Sequence, residues 1–355
     1  MQRDGDNATA ARQAWGETVP GEAADARRDR PLVSIGLPVY NGERFLRETL
    51  EALLTQEFND YELLISDNAS TDGTEAIARE FAERYPRISY QRNAENLGAA
   101  RNFELLVERA RGTYFIWASA HDRWDPRLLS ECVAALESQP EAVLCYSQSY
   151  SINEAGQVTG LMPEQPGTVA LSLRARYRTT IWRLHSYVIY GLHRLSALRQ
   201  TLPMHKVMGT DDVMLAELAL LGPFACVAER LFYFRVMNQV GDIRSYLGRL
   251  NLRATWWNPP LLVVAQVRLN LASIRRRAPT RGDRVRLSLL ALVRGVKLLV
   301  GFTVSTWAGM CCPRLFAKMI QALLRRQAAR SAAAEARRSQ ASAATGTPGS
   351  GEERI

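Results

Sequence analysis

Apolar residues in this chain come in short runs, separated by stretches where they recur at helical spacing. Residues 32–38 (LVSIGLP) form an apolar run that halts at Pro38, and residues 44–54 then repeat apolar positions every three or four residues. That is strand, loop, helix. The same alternation predicts strands at 61–66, 88–91, 114–117 and 142–146, with helices at 74–85, 103–110 and 126–138. Such an order specifies an α/β fold, a doubly wound and mostly parallel sheet with flanking helices. Right-handed crossovers gather the strand carboxyl ends on one edge, so the polar loops after Pro38, Ser66 and Trp117 are expected to meet in space.

Residues 147–167 are punctuated by Gly and Pro and read as a surface loop or hairpin, ending the doubly wound part near Tyr150. From 174 to 235 the pattern is mixed. A helix at 211–221, closed by Gly222-Pro223, and a strand at 230–234 are expected to complete the site. Beyond Asp242 come apolar segments laced with arginine, at 261–274, 287–300 and 302–312. The division that follows is a disordered leader at 1–30, an α/β domain at 31–240, a basic apolar helical region at 241–326 and a disordered tail at 327–355.

Charge sharpens the reading of the C-terminal part. The net charge is +9, and from Asp242 to Arg338 there are nineteen Arg or Lys against three acids, Asp242, Asp283 and Glu335. The rest of the chain is mildly acidic. Because the positive charges are interleaved with long apolar stretches and with Trp256, Trp257 and Trp307, they suit a membrane surface and not nucleic acid. The apolar stretch 289–312 is interrupted by Arg294 and Lys297, which leaves too short a clean run to span a bilayer. Packing of these segments on the α/β domain is the competing expectation.

The leader contains no apolar signal core, so a cytoplasmic location, peripheral to the inner face of the membrane, is expected, and the acceptor patterns at Asn7 and Asn68 are read as chance. Five cysteines, Cys132, Cys145, Cys226, Cys311 and Cys312, form no CxxC pair and are expected to be reduced, buried apolar residues.

The loop after the first strand, Pro38-Val39-Tyr40-Asn41-Gly42, offers an aromatic face beside an amide, suited to stacking and fixing a nucleobase. The second strand runs into Ser66-Asp67-Asn68-Ala69-Ser70-Thr71-Asp72-Gly73-Thr74, where the Asp67 carboxylate could accept from a base N–H or a ribose hydroxyl. Thr71, Asp72 and Thr74 are good caps for the next helix.

Together these two segments resemble the paired signatures of family two glycosyltransferases with the GT-A fold, of the bacterial cell-surface polysaccharide or glycolipid type. The resemblance extends over about residues 33–235 and includes Asn96-Leu97-Gly98, which match a stretch on the family's donor-binding side. It implies transfer of a sugar from a nucleotide-sugar donor, a UDP- or dTDP-sugar by family habit, to a saccharide or lipid-linked acceptor. It also implies a divalent cation, Mn2+ or Mg2+, held by an Asp-rich motif after the fourth strand. Here that position reads Trp117-Ala118-Ser119-Ala120-His121-Asp122-Arg123, so Asp122 is the expected metal ligand, with Ala120 and His121 on the donor side.

Inverting transfer needs a base for the acceptor hydroxyl, and Gly209-Thr210-Asp211-Asp212 resembles the family's acidic acceptor-side motif. Asp211 is favoured as the base, Asp212 is the near alternative, and both could instead complement a helix N-terminus. Arg235 follows the last strand where relatives place a basic phosphate or metal contact, whereas Met237 and Asn238 stand where a His is usual. Two other functions compete. A dinucleotide oxidoreductase requires GxGxxG after the first strand, which residues 36–42 do not supply. A catalytically inactive, transferase-like binding or scaffold protein is the remaining alternative.

Overall fold

A computed structural model describes residues 30–205, 207, 209–237 and 258–311. The leader at 1–29, Asn238, Trp256 and Trp257, Cys312 and the tail at 327–355 lie outside the described residues, as does the side chain of Trp307.

Strand β1 (Val33–Val39) is buried along its whole length and runs parallel to β2 (Tyr61–Asp67) on one side and to β4 (Tyr114–Trp117) on the other. Strand β3 (Ile88–Arg92) extends the parallel set beyond β2. Helices α1 (Glu43–Leu54), α2 (Thr74–Arg84) and α3 (Ala99–Arg109) make the crossovers. Strands covered on both faces need apolar residues at consecutive positions, which is why these segments read as runs and not as alternations. Gly36 lies at a close approach of layers: a Cβ there would come within 2.5 Å of the Phe115 ring.

The other half is mixed. After β5 (Arg123–Trp124) and α4 (Leu128–Glu137) come β6 (Leu144–Ile152), β7 (Val158–Leu161), α5 (Leu173–Arg183), β8 (Leu192–Arg194), a short α6 (Leu195–Leu198), α7 (Thr210–Leu221) and β9 (Phe224–Arg235). Nine strands form one sheet in the order β3-β2-β1-β4-β8-β6-β9-β5, with β7 paired to β6. The parallel character expected from the sequence holds for β3-β2-β1-β4; β8 is antiparallel to both β4 and β6. The segment 147–167 resolves into the β6–β7 hairpin, with β6 running on to Ile152.

Two cores flank the sheet. One gathers Leu46, Leu50, Phe81 and Leu136 from α1, α2 and α4; the other gathers Leu106, Tyr177, Met214 and Leu218 from α3, α5 and α7. Helix α7 is buried almost all round, because a further layer covers it: α8 (Asn258–Arg277) and α9 (Arg281–Cys311). Ile274, Ala278, Leu287 and Ala291 join the second core, and Arg276 and Arg277 pair with the buried Glu217 of α7 at 3.3 and 3.1 Å. The segments expected at 287–300 and 302–312 are one continuous helix, since the ladder passes through Gly301 without a break.

Candidate active site

The carboxyl ends of β1, β2 and β4 open onto a cleft of about 960 Å³. Seven of the residues expected to contact a donor line it: Pro38, Tyr40, Asn41, Asn96, Gly98, Ala120 and His121. The loops that carry them are laced together. Asn41 sits in the left-handed region at φ 50°, donates its backbone N–H to Ser70 Oγ at 2.9 Å, and accepts from the Thr71 N–H through Oδ1 at 2.9 Å. Gly42 N–H donates to Thr74 Oγ1 at 2.8 Å. This fixes the β1 loop against the β2 loop and leaves Tyr40 51% exposed on the cleft wall.

Asp67 is placed differently from the sequence expectation. It is fully buried, is absent from the cleft wall, and both its oxygens are occupied: Oδ1 accepts from Ser70 N–H and Oδ2 from the Tyr90 hydroxyl, each at 2.9 Å. As placed, it organises the β2 turn. Its neighbour Asn68 faces the cleft. Asn68 Nδ2 donates to Asn96 Oδ1 at 2.7 Å, and its Oδ1 accepts from Leu97 N–H at 2.9 Å and Asn93 Nδ2 at 3.2 Å. Asn102 continues this amide network through Ser66. Because the Gly98 N–H also reaches Asn96 Oδ1 at 2.9 Å, the network sets the entry to α3, where Gly98 has φ 82°.

Asp122 and Arg235 form the joint between the β4 loop and the end of β9. Asp122 is fully buried and off the cleft wall. Its Oδ1 accepts the Arg235 backbone N–H, while Oδ2 has no hydrogen-bond partner. Burial raises its pKa, against the opposing pull of His121 and of the Arg235 N–H. The Arg235 guanidinium is turned inward as well: Nε donates to His121 O at 2.5 Å, Nη1 to Asn153 O at 3.1 Å and Glu154 O at 3.0 Å, and Nη2 pairs with Glu48 at 2.8 Å. An arginine so engaged shapes the loop and does not reach the cleft, which corrects its expected donor contact.

These residues do not make a divalent-cation site. The single carboxylate at the loop is sealed behind the cleft wall, a guanidinium stands beside it, and His121 contacts Ser119 Oγ at 3.2 Å. Among the described residues no three His, Cys, Asp or Glu side chains come together as a metal-binding group. A hard cation needs several oxygen ligands, and Asp122 alone does not supply them.

Asp211 and Asp212 open α7 behind Gly209, which has φ 66°. The helix turns them apart. Asp212 faces the outer layer, 4.0 Å from Arg294 of α9. Asp211 does not line the cleft either; α7 packs on the 3-10 turn Ser186–Tyr190, whose Tyr190 does line it, and the Tyr190 hydroxyl is raised by burial and then by the charges of Asp211 and Asp122. Burial, with the charge of Asp212, pushes the pKa of Asp211 up to about 6. Burial raises Asp212 too, against the charges of Arg294 and His185.

Sequence reasoning passed over Asn68 and Tyr190. Asn68 stood next to the more conspicuous Asp67. Tyr190 ends a 3-10 turn, Ser186–Tyr190, that carries no helical or strand periodicity.

A mixed sheet whose parallel half presents its loops to one cleft is the architecture of the GT-A fold. Residues 34–190 match the family described as Glycosyl transferase family 2. It is 32% identical over 162 residues to the putative glycosyltransferase EpsE of Bacillus subtilis, covering 44% of this chain and 58% of EpsE. It is 40% identical over 117 residues to abequosyltransferase RfbV of Salmonella typhimurium, covering 32% of this chain and 35% of RfbV. The chain thus spans little more than half of these curated relatives, or less. The structure of S. aureus TarS 1–349 in complex with UDP-GlcNAc is similar in fold, with TM-score 0.59 and 16% identity, covering 75% of this chain and 72% of that one.

Proposed function

We propose that this chain is an inverting glycosyltransferase that moves a sugar from a UDP- or dTDP-linked donor to a saccharide or lipid-linked acceptor in cell-surface polysaccharide synthesis, working at a membrane surface. The observation that carries the reading is the cleft at the carboxyl ends of β1, β2 and β4, with Tyr190 on its wall at the end of a turn that packs on α7; in this reading Asp211 serves the acceptor side. The names of the relatives, and the UDP-GlcNAc bound by TarS, support the donor class and the acceptor pathway.

In this reading Tyr40 stacks on the base, and Asn68 with Asn96 hydrogen-bonds its edge or the ribose. Pro38, Asn41 and Gly98 hold the loop shape that admits the nucleoside. Ala120 and His121 stand at the diphosphate, with the imidazole able to donate to a phosphate oxygen. Asp211 takes the proton of the acceptor hydroxyl as its oxygen bonds to the anomeric carbon. The bond from that carbon to the diphosphate breaks on the opposite face, and the nucleoside diphosphate leaves with the electron pair. GT-A enzymes commonly add a divalent cation against that leaving group. No step here is assigned to one, because the residues present do not form its site.

The test is the thermal shift of the purified protein with UDP, dTDP, GDP, CDP and NAD, followed by product stereochemistry with the sugar donor that binds. Stabilisation by one pyrimidine diphosphate and an inverted product support the reading. A shift with NAD alone, or with none, overturns it in favour of an oxidoreductase or a transferase-like binding protein.

A further inference from the structure

Helix α9 is apolar on two opposite faces. One face, with Leu287 and Ala291, is buried in the domain core, and its contact with α8 is close: a Cβ at Gly295 would come within 2.3 Å of Val267. The other face carries Val285, Leu289, Leu292, Val293, Val296 and Val300, which are 45 to 70% exposed. At helical pitch these six lie within an arc of about 100° and run about 22 Å along the axis. Leu261 and Val264, at 62% and 44% exposure, belong to α8, which is antiparallel to α9 and meets it through a three-residue turn. A monomer in water rarely leaves so continuous an apolar stripe uncovered.

The charges around the stripe select its occupant. Arg286 flanks it on one side and Arg281 on the other, with Arg268 and Arg275 on the exposed side of α8; all four are exposed, and none forms an ion pair among the described residues. Asp283 is the sole acid in α8 and α9. A second copy docking through this face would set these arginines against one another. Anionic lipid would complement them, apolar stripe in the acyl boundary and guanidinium groups at phosphates. No described helix is long and apolar enough to cross a membrane.

We infer that the outer face of the α8–α9 hairpin is a docking surface for an anionic lipid bilayer, with α9 lying in the headgroup plane. The inference deepens the proposed function and rests on it for its purpose. Arg294 of α9 stands 4.0 Å from Asp212, the neighbour in sequence of the proposed base Asp211, so the helix on the bilayer reaches the first turn of α7. A lipid-linked acceptor would then meet the site at the surface where it resides.

The test is co-sedimentation of the full chain with vesicles of phosphatidylcholine, alone or mixed with phosphatidylglycerol, and light scattering without lipid. Wild type should partition to the phosphatidylglycerol vesicles. The double variant Leu289→Asp with Val296→Asp should lose at least about tenfold in partitioning, and Arg281→Ser with Arg286→Ser about fivefold per arginine on anionic vesicles only. Both should keep the wild-type melting temperature. Absence of wild-type binding overturns the inference, and so does a dimer in solution that the Leu289/Val296 variant dissociates. The nucleotide-induced thermal shift, read on the same samples, reports separately on the proposed function.

Discussion

The backbone N–H of Arg235 donates to Asp122 Oδ1 at 2.7 Å, so the last residue of β9 is joined to the loop that follows β4. The guanidinium of the same arginine then satisfies three backbone oxygens, of His121, Asn153 and Glu154, and pairs with Glu48. Removing it leaves His121 O and Glu154 O without this donor, whereas Asn153 O still accepts the Gly156 N–H at 3.0 Å. We expect Arg235→Met to cost about 2–4 kcal/mol in urea unfolding, and Arg235→Lys to recover less than half of that, because an ammonium lacks the planar fork.

Asp122 gives a prediction about metal. An asparagine keeps the Oδ1 acceptor for the Arg235 N–H and removes a carboxylate whose charge is penalised by burial. Asp122→Asn should therefore fold and give the wild-type nucleotide-induced thermal shift, equal in Mn2+ and in EDTA. A shift that chelation abolishes in wild type, and that the variant lacks, would mean that this loop holds a cation.

Asp67 and Asn68 are adjacent in sequence and opposite in role. Asp67→Ala removes the acceptor of the Ser70 N–H and the Tyr90 hydroxyl inside the turn, and should lower stability by about 2–3 kcal/mol. Asn68→Ala strands the Leu97 N–H and Asn93 Nδ2 and should also lower stability, by about 1–3 kcal/mol, but unlike Asp67→Ala it should weaken nucleotide binding by the folded protein about tenfold, as read by titration calorimetry.

The same pair shows where sequence reading stops. The strand ending at Asp67 and the loop after it were legible, because a strand buried on both faces must be an apolar run and the turn chemistry that closes it is local. Which side chain turns to the cleft was not, since that depends on Tyr90 and Asn93 from a neighbouring strand and its following loop. Helix α5 escaped because Arg174, Arg176 and Arg178 obscure its periodicity, whereas in the structure Arg176 lies along α7 and donates to Ala219 O at 2.7 Å. Asp122 was read as a ligand from its place in the chain, but its burial is set by β9, 113 residues later.

His193 should govern part of the acid sensitivity. Burial against Trp117 lowers its pKa to about 4, with Nε2 bonded to Ile189 O at 2.8 Å. An unfolded histidine titrates at about 6.5, so between these values the unfolded state binds more protons and stability falls as pH drops from about 6.5 to about 4. We expect His193→Gln, which can still donate to Ile189 O, to flatten the melting-temperature profile across that window. An unchanged profile would place the acid sensitivity elsewhere.

The acid pair of α7 yields the sharpest separation. The charge of Asp211 acts on Tyr190, a residue of the cleft wall, and Asp212 lies 4.0 Å from Arg294 in the outer layer, so their amides should differ in effect. Asp211→Asn should lower turnover by about 10²–10³-fold while leaving donor binding intact, and Asp212→Asn should stay within about tenfold of wild type. With the Asp211 pKa at about 6, wild-type turnover should rise through that pH as the base ionises. The stability change has the opposite sign. Because the folded pKa is raised, the folded state holds the proton more tightly, and stability falls as pH rises from about 4 to about 6. Asp211→Asn should therefore be more stable than wild type by about 1–2 kcal/mol at pH 7.5, and no more stable at pH 4. A variant both inactive and stabilised, with the gain confined to high pH, is what a base whose charge is penalised by burial produces and a helix cap does not: losing a cap would destabilise the helix. Equal activity in the two single amides would remove Asp211 from the mechanism.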